Sequence, residues 1–193
     1  MSEVAACRTA VFLDRDGVLT QAEERDGHTY APRRLEDFRL LPGVREAVEQ
    51  FRRAGFLTVV VTNQPDIANG LVDAGVVEAM HQRLREWLPV DAVEVCPHAD
   101  RQDCDCRKPK PGLLLAAARR LKIDLARSVM VGDRWKDIEA GRRAGCRTVF
   151  VDRGYCEQKP ETPDLTVDSL PAAVPWIVAV AAEPMHRSRG ETS

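Results

Sequence analysis

Residues 12–19 read Phe12-Leu13-Asp14-Arg15-Asp16-Gly17-Val18-Leu19, so a short apolar run ends in two carboxylates one residue apart and then a glycine. Residues i and i+2 of an extended backbone point the same way, so Asp14 and Asp16 can reach one substrate group, and Gly17 permits a sharp turn away. One carboxylate could attack while the other moves a proton. An Asp-Gly turn that only closes a strand has the same composition. Taken alone, the stretch leaves both interpretations open.

Apolar runs rich in Val alternate with helical patterns along the chain. The predicted strands are Ala10–Leu13, Leu57–Val61, Ala92–Val95, Ser128–Val131 and Thr148–Val151. The predicted helices are Val44–Ala54, Ala74–Leu88, Leu113–Leu121 and Ile138–Ala144, and a terminal helix is expected in Leu170–Ala182 despite Pro171 and Pro175. This alternation predicts an α/β fold with a parallel sheet and right-handed crossovers.

Three further polar clusters follow predicted strands. They are Thr62-Asn63-Gln64, Gly132-Asp133 and the segment Cys106-Arg107-Lys108-Pro109. In an open parallel sheet, residues just past the carboxyl ends of neighbouring strands line one crevice. The clusters therefore favour a reactive site around Asp14 and Asp16 over a plain turn.

The composition indicates one globular domain. A chain of 193 residues with 44% hydrophobic residues can bury one good core, so we predict a single domain over residues 1–182 and a disordered tail over 183–193. The net charge of −2 argues against general nucleic-acid binding. With no leader pattern and no apolar run of the ~20 residues needed to cross a bilayer, we expect a cytoplasmic protein without a membrane partner, and by default a monomer.

Four soft or borderline metal ligands are concentrated on one predicted loop: Cys96, His98, Cys104 and Cys106. Three thiolates and one imidazole predict a closed, structural Zn²⁺ site, with incidental cysteines as the alternative. Because Arg107 and Lys108 follow Cys106 directly, zinc would fix the loop that aims them. The remaining cysteines, Cys7, Cys146 and Cys156, are interpreted as packing or incidental residues, and His28, His81 and His186 as exposed.

The motif order over roughly residues 10–152 resembles the haloacid dehalogenase-like phosphatases. Its elements here are Asp14-Arg15-Asp16-Gly17, Thr62-Asn63-Gln64, the Cys-x-His and Cys-x-Cys pair, Arg107-Lys108-Pro109 and Gly132-Asp133. Within that superfamily the set is similar to the small histidinol-phosphate and heptose-bisphosphate phosphatases. The resemblance implies a Rossmann-like parallel sheet with helices on both faces and no large cap domain. Residues 20–41 would then form a flap beside the site.

The resemblance also implies catalytic roles. Asp14 would be the nucleophile that forms an aspartyl-phosphate, and Asp16 would protonate the leaving alcohol and then deprotonate the attacking water. Lys108 would neutralise the phosphoryl group. Thr62 is suited to bind a phosphoryl oxygen, with a helix-capping turn as the alternative. Two further residues, Asn63 and Arg107, would contact the substrate.

Several negative charges near a phosphate dianion require a cation, and Mg²⁺ fits the hard oxygen ligands on offer. We predict that Asp14, Asp16 through its backbone carbonyl, and Asp133 hold it. Capping of the following helix is the alternative role for Asp133. For Asp137 two roles stay open, support of the metal site or pairing with an arginine.

The resemblance implies a phosphorylated small molecule as the substrate, and in particular a sugar bisphosphate. We favour the 7-phosphate of D-glycero-D-manno-heptose 1,7-bisphosphate, and Pro111-Gly112-Leu113 resembles the heptose enzymes. The five residues between His98 and Cys104 resemble histidinol-phosphate phosphatases, which are the alternative. A zinc-stabilised binding module with the same fold is the non-enzyme alternative. Departures from the common pattern at Pro65-Asp66 and Asn69 leave the leaving-group contacts open.

Overall fold

The structure, a computed structural model, describes residues 7–25 and 28–181. In chain order the strands are β1 (Ala10–Leu13), β2 (Glu23–Arg25), β3 (His28–Tyr30), β4 (Leu57–Asn63), β5 (Ala92–Cys96), β6 (Val129–Gly132), β7 (Arg147–Val151) and β8 (Leu165–Val167). The α-helices are α1 (Val44–Arg53), α2 (Pro65–Ala68), α3 (Ala74–Trp87), α4 (Gly112–Leu121), α5 (Trp135–Ala144) and α6 (Leu170–Ala181). The predicted tail over 183–193 lies outside the described residues.

Six parallel strands form the main sheet in the order β5-β4-β1-β6-β7-β8. The five predicted strands and the predicted helices are confirmed, with ends that differ by up to three residues. Strand β8 was not predicted, because its Leu-Thr-Val is too short to show a pattern. The predicted flap contains the antiparallel hairpin β2–β3 and a 3₁₀ turn at Leu35–Asp37.

Two apolar layers cover the two faces of the sheet, so helices lie on both sides as predicted. On one face, Val11 and Leu13 of β1 belong to the same buried cluster as residues of α1, α3 and α6. On the other face, Ala10 and Phe12 belong to a cluster with α4 and α5. Alternate side chains of the buried strand β1 thus pack into the apolar layers on opposite faces of the sheet.

The helix α6 forms although it contains Pro175. Pro171 lies in the first turn, where a missing N–H costs no hydrogen bond. Buried Leu170, Val174 and Ile177 pack this helix against the core. Within the described ranges, each helix falls short of the length and apolar content that a bilayer span requires.

Candidate active site

The carboxyl ends of four strands position one cluster of polar residues. Asp14 follows β1, Thr62 lies near the end of β4, Asp133 follows β6, and Lys108 lies on the segment between β5 and α4. Because β1 pairs with β4 on one side and β6 on the other, the chain departs in opposite directions here and leaves a crevice. A cavity of about 300 Å³ opens there, and its lining includes Asp14, Asp16, Thr62, Asn63, Arg107, Lys108 and Asp137.

Lys108 joins two of the strand ends through its ammonium group. The Nζ atom donates to Asp14 Oδ1 at 2.6 Å and to the carbonyl oxygen of Val61 at 2.8 Å, and it forms an ion pair of 2.6 Å with Asp137 Oδ1. Burial lowers the pKa of Lys108, but the charges of Asp137 and Asp14 outweigh burial, so the net shift is upward. Lys108 is therefore a permanent cation at the site.

Asp14 is buried at the base of the cavity. Burial is the largest influence on its pKa, and with the nearby charges of Asp137 and Asp16 it raises the pKa to about 6 against the opposing effect of Lys108. The charge of Lys108 thus does not outweigh the burial of Asp14 together with the charges of the two neighbouring carboxylates. An additional cation would favour the ionised, nucleophilic form of Asp14.

Asp133 shows a deficit of donors. Among the described residues, neither buried carboxylate oxygen has a hydrogen-bond partner. Burial, followed by the charges of Asp14 and Asp137, raises the pKa of Asp133 well above its usual value. Carboxylate oxygens of Asp14, Asp133 and Asp137 lie within 4.8 Å of one another. Since buried carboxylates are normally paired or coordinate metals, this donor set fits a hard divalent cation.

Gly17 makes room for that carboxylate. Its φ is +96°, and a Cβ atom at this position would lie 1.9 Å from Asp133 Oδ2. The glycine is therefore required twice, once for the left-handed backbone and once for the close approach of β6.

The Asp16 carboxylate lines the same cavity as Asp14 but has different partners. It accepts hydrogen bonds from Arg15 at 2.8–3.1 Å, from Gln64 Nε2 at 2.9 Å and from Thr20 Oγ1 at 3.1 Å. Among the described residues, the acidic group that could hold a metal contains Asp137 rather than the Asp16 carboxylate. The predicted contribution of Asp16 through its backbone carbonyl stays a prediction.

Thr62 and Asn63, at the end of β4, have different hydrogen-bond partners. Thr62 is buried, and its hydroxyl accepts from Gln64 Nε2 at 2.8 Å. Asn63 donates to the Lys108 carbonyl oxygen and accepts from the Lys108 N–H, both at 3.1 Å. The Asn63 amide therefore fixes the lysine segment, a contact that the sequence did not reveal. Its predicted role in substrate binding stays a prediction.

The four predicted zinc ligands come together at the end of β5. The Sγ atoms of Cys96, Cys104 and Cys106 are 3.2–3.5 Å apart, and His98 Nδ1 lies 3.3 Å from Cys106 Sγ and 3.7 Å from Cys96 Sγ. A tetrahedron with Zn–S bonds of about 2.3 Å has edges of about 3.8 Å, so the group is nearly of zinc-binding size. Burial is the main reason that the pKa of Cys96 is raised to about 12. The Cys96 thiolate would need a cation to form.

Ion pairs and hydrogen bonds connect the segment between β5 and α4, the flap and the turn after β4 near the rim of the cavity. Arg107 pairs with Asp100, and its Nη1 donates to the His98 carbonyl oxygen at 3.3 Å. At the unusual positions after β4, Asp66 accepts from Arg33 Nε at 2.7 Å, and Asn69 Oδ1 accepts from Arg101 at 2.8 Å. The departures from the common motif thus have partners within this chain.

Two roles foreseen from the sequence are corrected or refined. His81, predicted to be exposed, is buried, and its Nε2 lies 2.9 Å from Arg15 Nη1. Burial, then the charge of Arg15, lowers the pKa of His81 to about 4. The positions of Val77 and Leu84 on the same helical face gave a signal of this burial.

Asp137 pairs with Lys108, and its Oδ2 accepts from the backbone N–H of Arg134 at 3.0 Å, so its partner is not an arginine side chain.

The three cysteines outside the cluster at the end of β5 differ in burial. Cys146 is buried, whereas Cys7 and Cys156 are exposed, and all three are free thiols. This agrees with their interpretation as packing or incidental residues. The side chain of His28 and the whole of His186 lie outside what the structure describes.

Comparisons with known proteins agree with this geometry. The HAD-hydrolase-like family model matches residues 105–173. The D-glycero-D-manno-heptose-1,7-bisphosphate 7-phosphatase of Thermosynechococcus vestitus is 39% identical, with 88% of this chain and 95% of the relative covered. The D-glycero-beta-D-manno-heptose-1,7-bisphosphate 7-phosphatase of Haemophilus ducreyi is 35% identical, with coverage of 88% and 98%. A crystal structure of the D,D-heptose 1,7-bisphosphate phosphatase from B. bronchiseptica, complexed with magnesium and phosphate, superposes with a TM-score of 0.74 at 30% identity, covering 89% of this chain and 98% of that one.

The strand order and the strand-end carboxylates define a hydrolase of the haloacid dehalogenase-like class. Within that class, the chain belongs to the family of heptose-1,7-bisphosphate 7-phosphatases, as its coverage of these relatives shows, and it is a phosphoric monoester hydrolase.

Proposed function

We propose that this phosphatase removes the 7-phosphate of D-glycero-D-manno-heptose 1,7-bisphosphate through an aspartyl-phosphate. The observation that carries the chemistry is the contact of 2.6 Å between the Lys108 ammonium and the Asp14 carboxylate at the base of the cavity. The substrate is supported by the names of relatives that are 35–39% identical over almost their whole length.

The proposed reaction has two halves, and Asp14 acts in the first. A carboxylate oxygen of Asp14 attacks phosphorus in line with the leaving oxygen, the P–O bond to the sugar breaks, and Asp16 donates a proton to that oxygen. Lys108 and the Thr62 hydroxyl stabilise the negative charge of the transferring group. In the second half, Asp16 takes a proton from water, which attacks phosphorus and regenerates the Asp14 carboxylate.

Asp14 and Asp133, with the backbone carbonyl of Asp16, would hold Mg²⁺, which would supply positive charge to the phosphoryl group. The oxygens of Asp133, which have no hydrogen-bond partner among the described residues, support this assignment. Asp137 is assigned to Lys108 instead, because both of its oxygens already have partners. The magnesium and phosphate named for the B. bronchiseptica structure are consistent with the same arrangement.

Cys96, His98, Cys104 and Cys106 would hold a structural Zn²⁺. The spacing of the four ligand atoms supports this role. Since Arg107 follows Cys106 and contacts the His98 carbonyl oxygen, an ordered zinc loop would aim Arg107 into the cavity. Arg107 is proposed to bind the substrate beyond the reacting phosphate, where its planar fork suits a second phosphate.

We further propose that the chain acts as a cytoplasmic monomer with one phosphatase domain over residues 1–182. Its small net charge of −2 and the single six-stranded sheet support this proposal.

Phosphate release from a panel of substrates tests the function. The Mg²⁺-loaded protein is assayed with both anomers of the heptose 1,7-bisphosphate, histidinol phosphate and simple sugar phosphates, with Asp14→Asn as the control. We expect kcat/KM to be highest for one heptose bisphosphate and lost in the control. The short segment between His98 and Cys104 keeps histidinol phosphate as a second candidate. A preference for it would overturn the proposed substrate while retaining the chemistry.

A further inference from the structure

Arg15 and His81 form a buried pair beside Asp16 that the reaction above does not use. Arg15 is fully buried, and its Nε and Nη2 atoms bind the Asp16 carboxylate at 2.8–3.1 Å. The third nitrogen, Nη1, lies 2.9 Å from His81 Nε2. A guanidinium only donates hydrogen bonds, so Nε2 is the acceptor and Nδ1 carries the imidazole proton.

We propose that Arg15 and His81 are positioning residues for the proton transfer: His81 fixes the Arg15 guanidinium, and the guanidinium orients the Asp16 carboxylate toward the leaving oxygen. The inference rests on the proposed role of Asp16 as proton donor.

The geometry of the guanidinium supports this role. Two hydrogen bonds from a planar fork to one carboxylate set the plane of the carboxylate as well as its position. His81 Nε2 accepts from Arg15 Nη1, the guanidinium nitrogen that does not contact Asp16. On another side, the Arg15 Cζ atom lies 5.3 Å from the centroid of the Phe38 ring, which stacks on Trp87 at 5.7 Å. Rotation of the guanidinium is thus opposed by both a hydrogen bond and packing.

The ion pair between Arg15 and Asp16 differs from an ordinary core salt bridge because one partner faces the cavity. The Arg15 side chain is completely buried, whereas the Asp16 side chain is 12% exposed and lines the cavity. Gln64 and Thr20 donate to the same carboxylate, and Gln64 also donates to Thr62. The network therefore connects the α3 helix, through His81 and Arg15, to a group that faces the substrate.

The dependence of rate on leaving group separates positioning from general stabilisation of the fold. When the P–O bond breaks, the leaving oxygen takes the proton from the Asp16 carboxyl group. A phenolate that leaves readily needs this proton little, whereas a poor leaving group needs it strongly. A misoriented Asp16 would therefore slow only the substrates with poor leaving groups. Damage to the site as a whole would slow all of them alike.

The experiment measures kcat/KM of the Mg²⁺-loaded protein for a series from p-nitrophenyl phosphate to unsubstituted phenyl phosphate. We compare wild type with His81→Met and His81→Asn, neither of which can place an oxygen or nitrogen acceptor at the position of His81 Nε2, next to Arg15 Nη1. His81→Gln is the rescue variant, because its amide oxygen reaches that position. In the first two variants, kcat/KM should fall about tenfold for phenyl phosphate and less than about twofold for p-nitrophenyl phosphate. His81→Gln should keep the wild-type dependence.

An unchanged leaving-group dependence in both His81→Met and His81→Asn would overturn the proposal, whatever the absolute rates. Asp16→Asn separates this failure from a failure of the proposed function. If Asp16→Asn steepens the dependence and the His81 variants do not, only the positioning role is wrong. If Asp16→Asn does not steepen it, Asp16 is not the proton donor, and the positioning role falls with that assignment.

Discussion

The ammonium group of Lys108 lies 2.6 Å from the carboxylate of Asp14, although 94 positions separate the two residues in the chain. The contact joins the tip of β1 to the segment between β5 and α4, which carries three of the four predicted zinc ligands. The proposed nucleophile and its neutralising charge are thus in place before a substrate arrives. Such preorganisation spares the reaction the cost of moving charges at the transition state.

Removal of the second Lys108 partner should weaken the fold. Asp137→Asn keeps the hydrogen bond from the Arg134 N–H but removes a buried negative charge from beside Lys108. We expect the free energy of unfolding to fall by about 1–3 kcal/mol in urea titrations with Mg²⁺ present, because the added cation then offsets the charges of Asp14 and Asp133 and the loss of the Lys108 partner dominates. Glu139→Gln on the same helix is the control, because its pairs with Arg142 and Arg143 are exposed and contribute little to stability. Equal losses in the two variants would contradict this account.

A methyl group at Gly17 should disturb the metal site. In Gly17→Ala the Cβ atom would collide with Asp133 Oδ2, so the carboxylate must move. We expect calorimetric titration to show Mg²⁺ affinity reduced more than about tenfold, because one charged ligand is displaced. Gly70→Ala is a matched control, since Gly70 also has a positive φ of +67° but no atom within 4 Å of an added Cβ. A normal Mg²⁺ affinity in Gly17→Ala would show that Asp133 is not a ligand.

The raised pKa of Asp14 predicts a pH dependence of stability in the metal-free protein. Its native pKa of about 6 lies above the ordinary aspartate pKa of 3.8, so the native state binds more protons than the unfolded state between these values. The contribution of Asp14 is complete below about pH 4 and is lost as the pH rises through about 6. Relative to wild type, Asp14→Asn should therefore gain about 1–3 kcal/mol between pH 4 and pH 7 in urea unfolding with chelator. A constant difference across that range would refute the shift.

Loss of one thiol should release the structural metal. Cys104→Ser removes one of four ligands, so we expect zinc content near zero and lower phosphatase activity, because Arg107 and Lys108 follow the same loop. Zinc is measured by elemental analysis of the purified protein. Cys156→Ser is the control, since Cys156 is exposed and outside the cluster. Normal activity without zinc in Cys104→Ser would disprove the coupling of this loop to catalysis.

The sequence was sufficient for the parts of the fold and site that depend on local pattern. Buried Val-rich runs identified the five longest strands of the sheet, and carboxylates at their ends identified Asp14, Asp16 and Asp133. The cluster of possible metal ligands was visible because Cys96, His98, Cys104 and Cys106 lie within eleven residues. These features have short-range signatures, so one sequence is enough to reveal them.

Long-range polar contacts were not predictable in the same way. The sequence around Asn63 does not predict that its amide binds the backbone of Lys108, 45 residues away. Likewise, Arg15 and His81 are separated by 66 residues, and a charged side chain next to two aspartates is usually solvated. Only the packing of α3 against the site brings His81 to Arg15. The sequence therefore placed the reactive groups but not the residues that orient them.

The most direct test of the central claim is ³¹P NMR of the Mg²⁺-loaded protein acting on D-glycero-D-manno-heptose 1,7-bisphosphate. We expect the C7 phosphate signal to disappear as inorganic phosphate forms while the anomeric phosphate signal remains, and we expect no change with Asp14→Asn. Release of the anomeric phosphate instead, or no release by the wild-type protein, would contradict it.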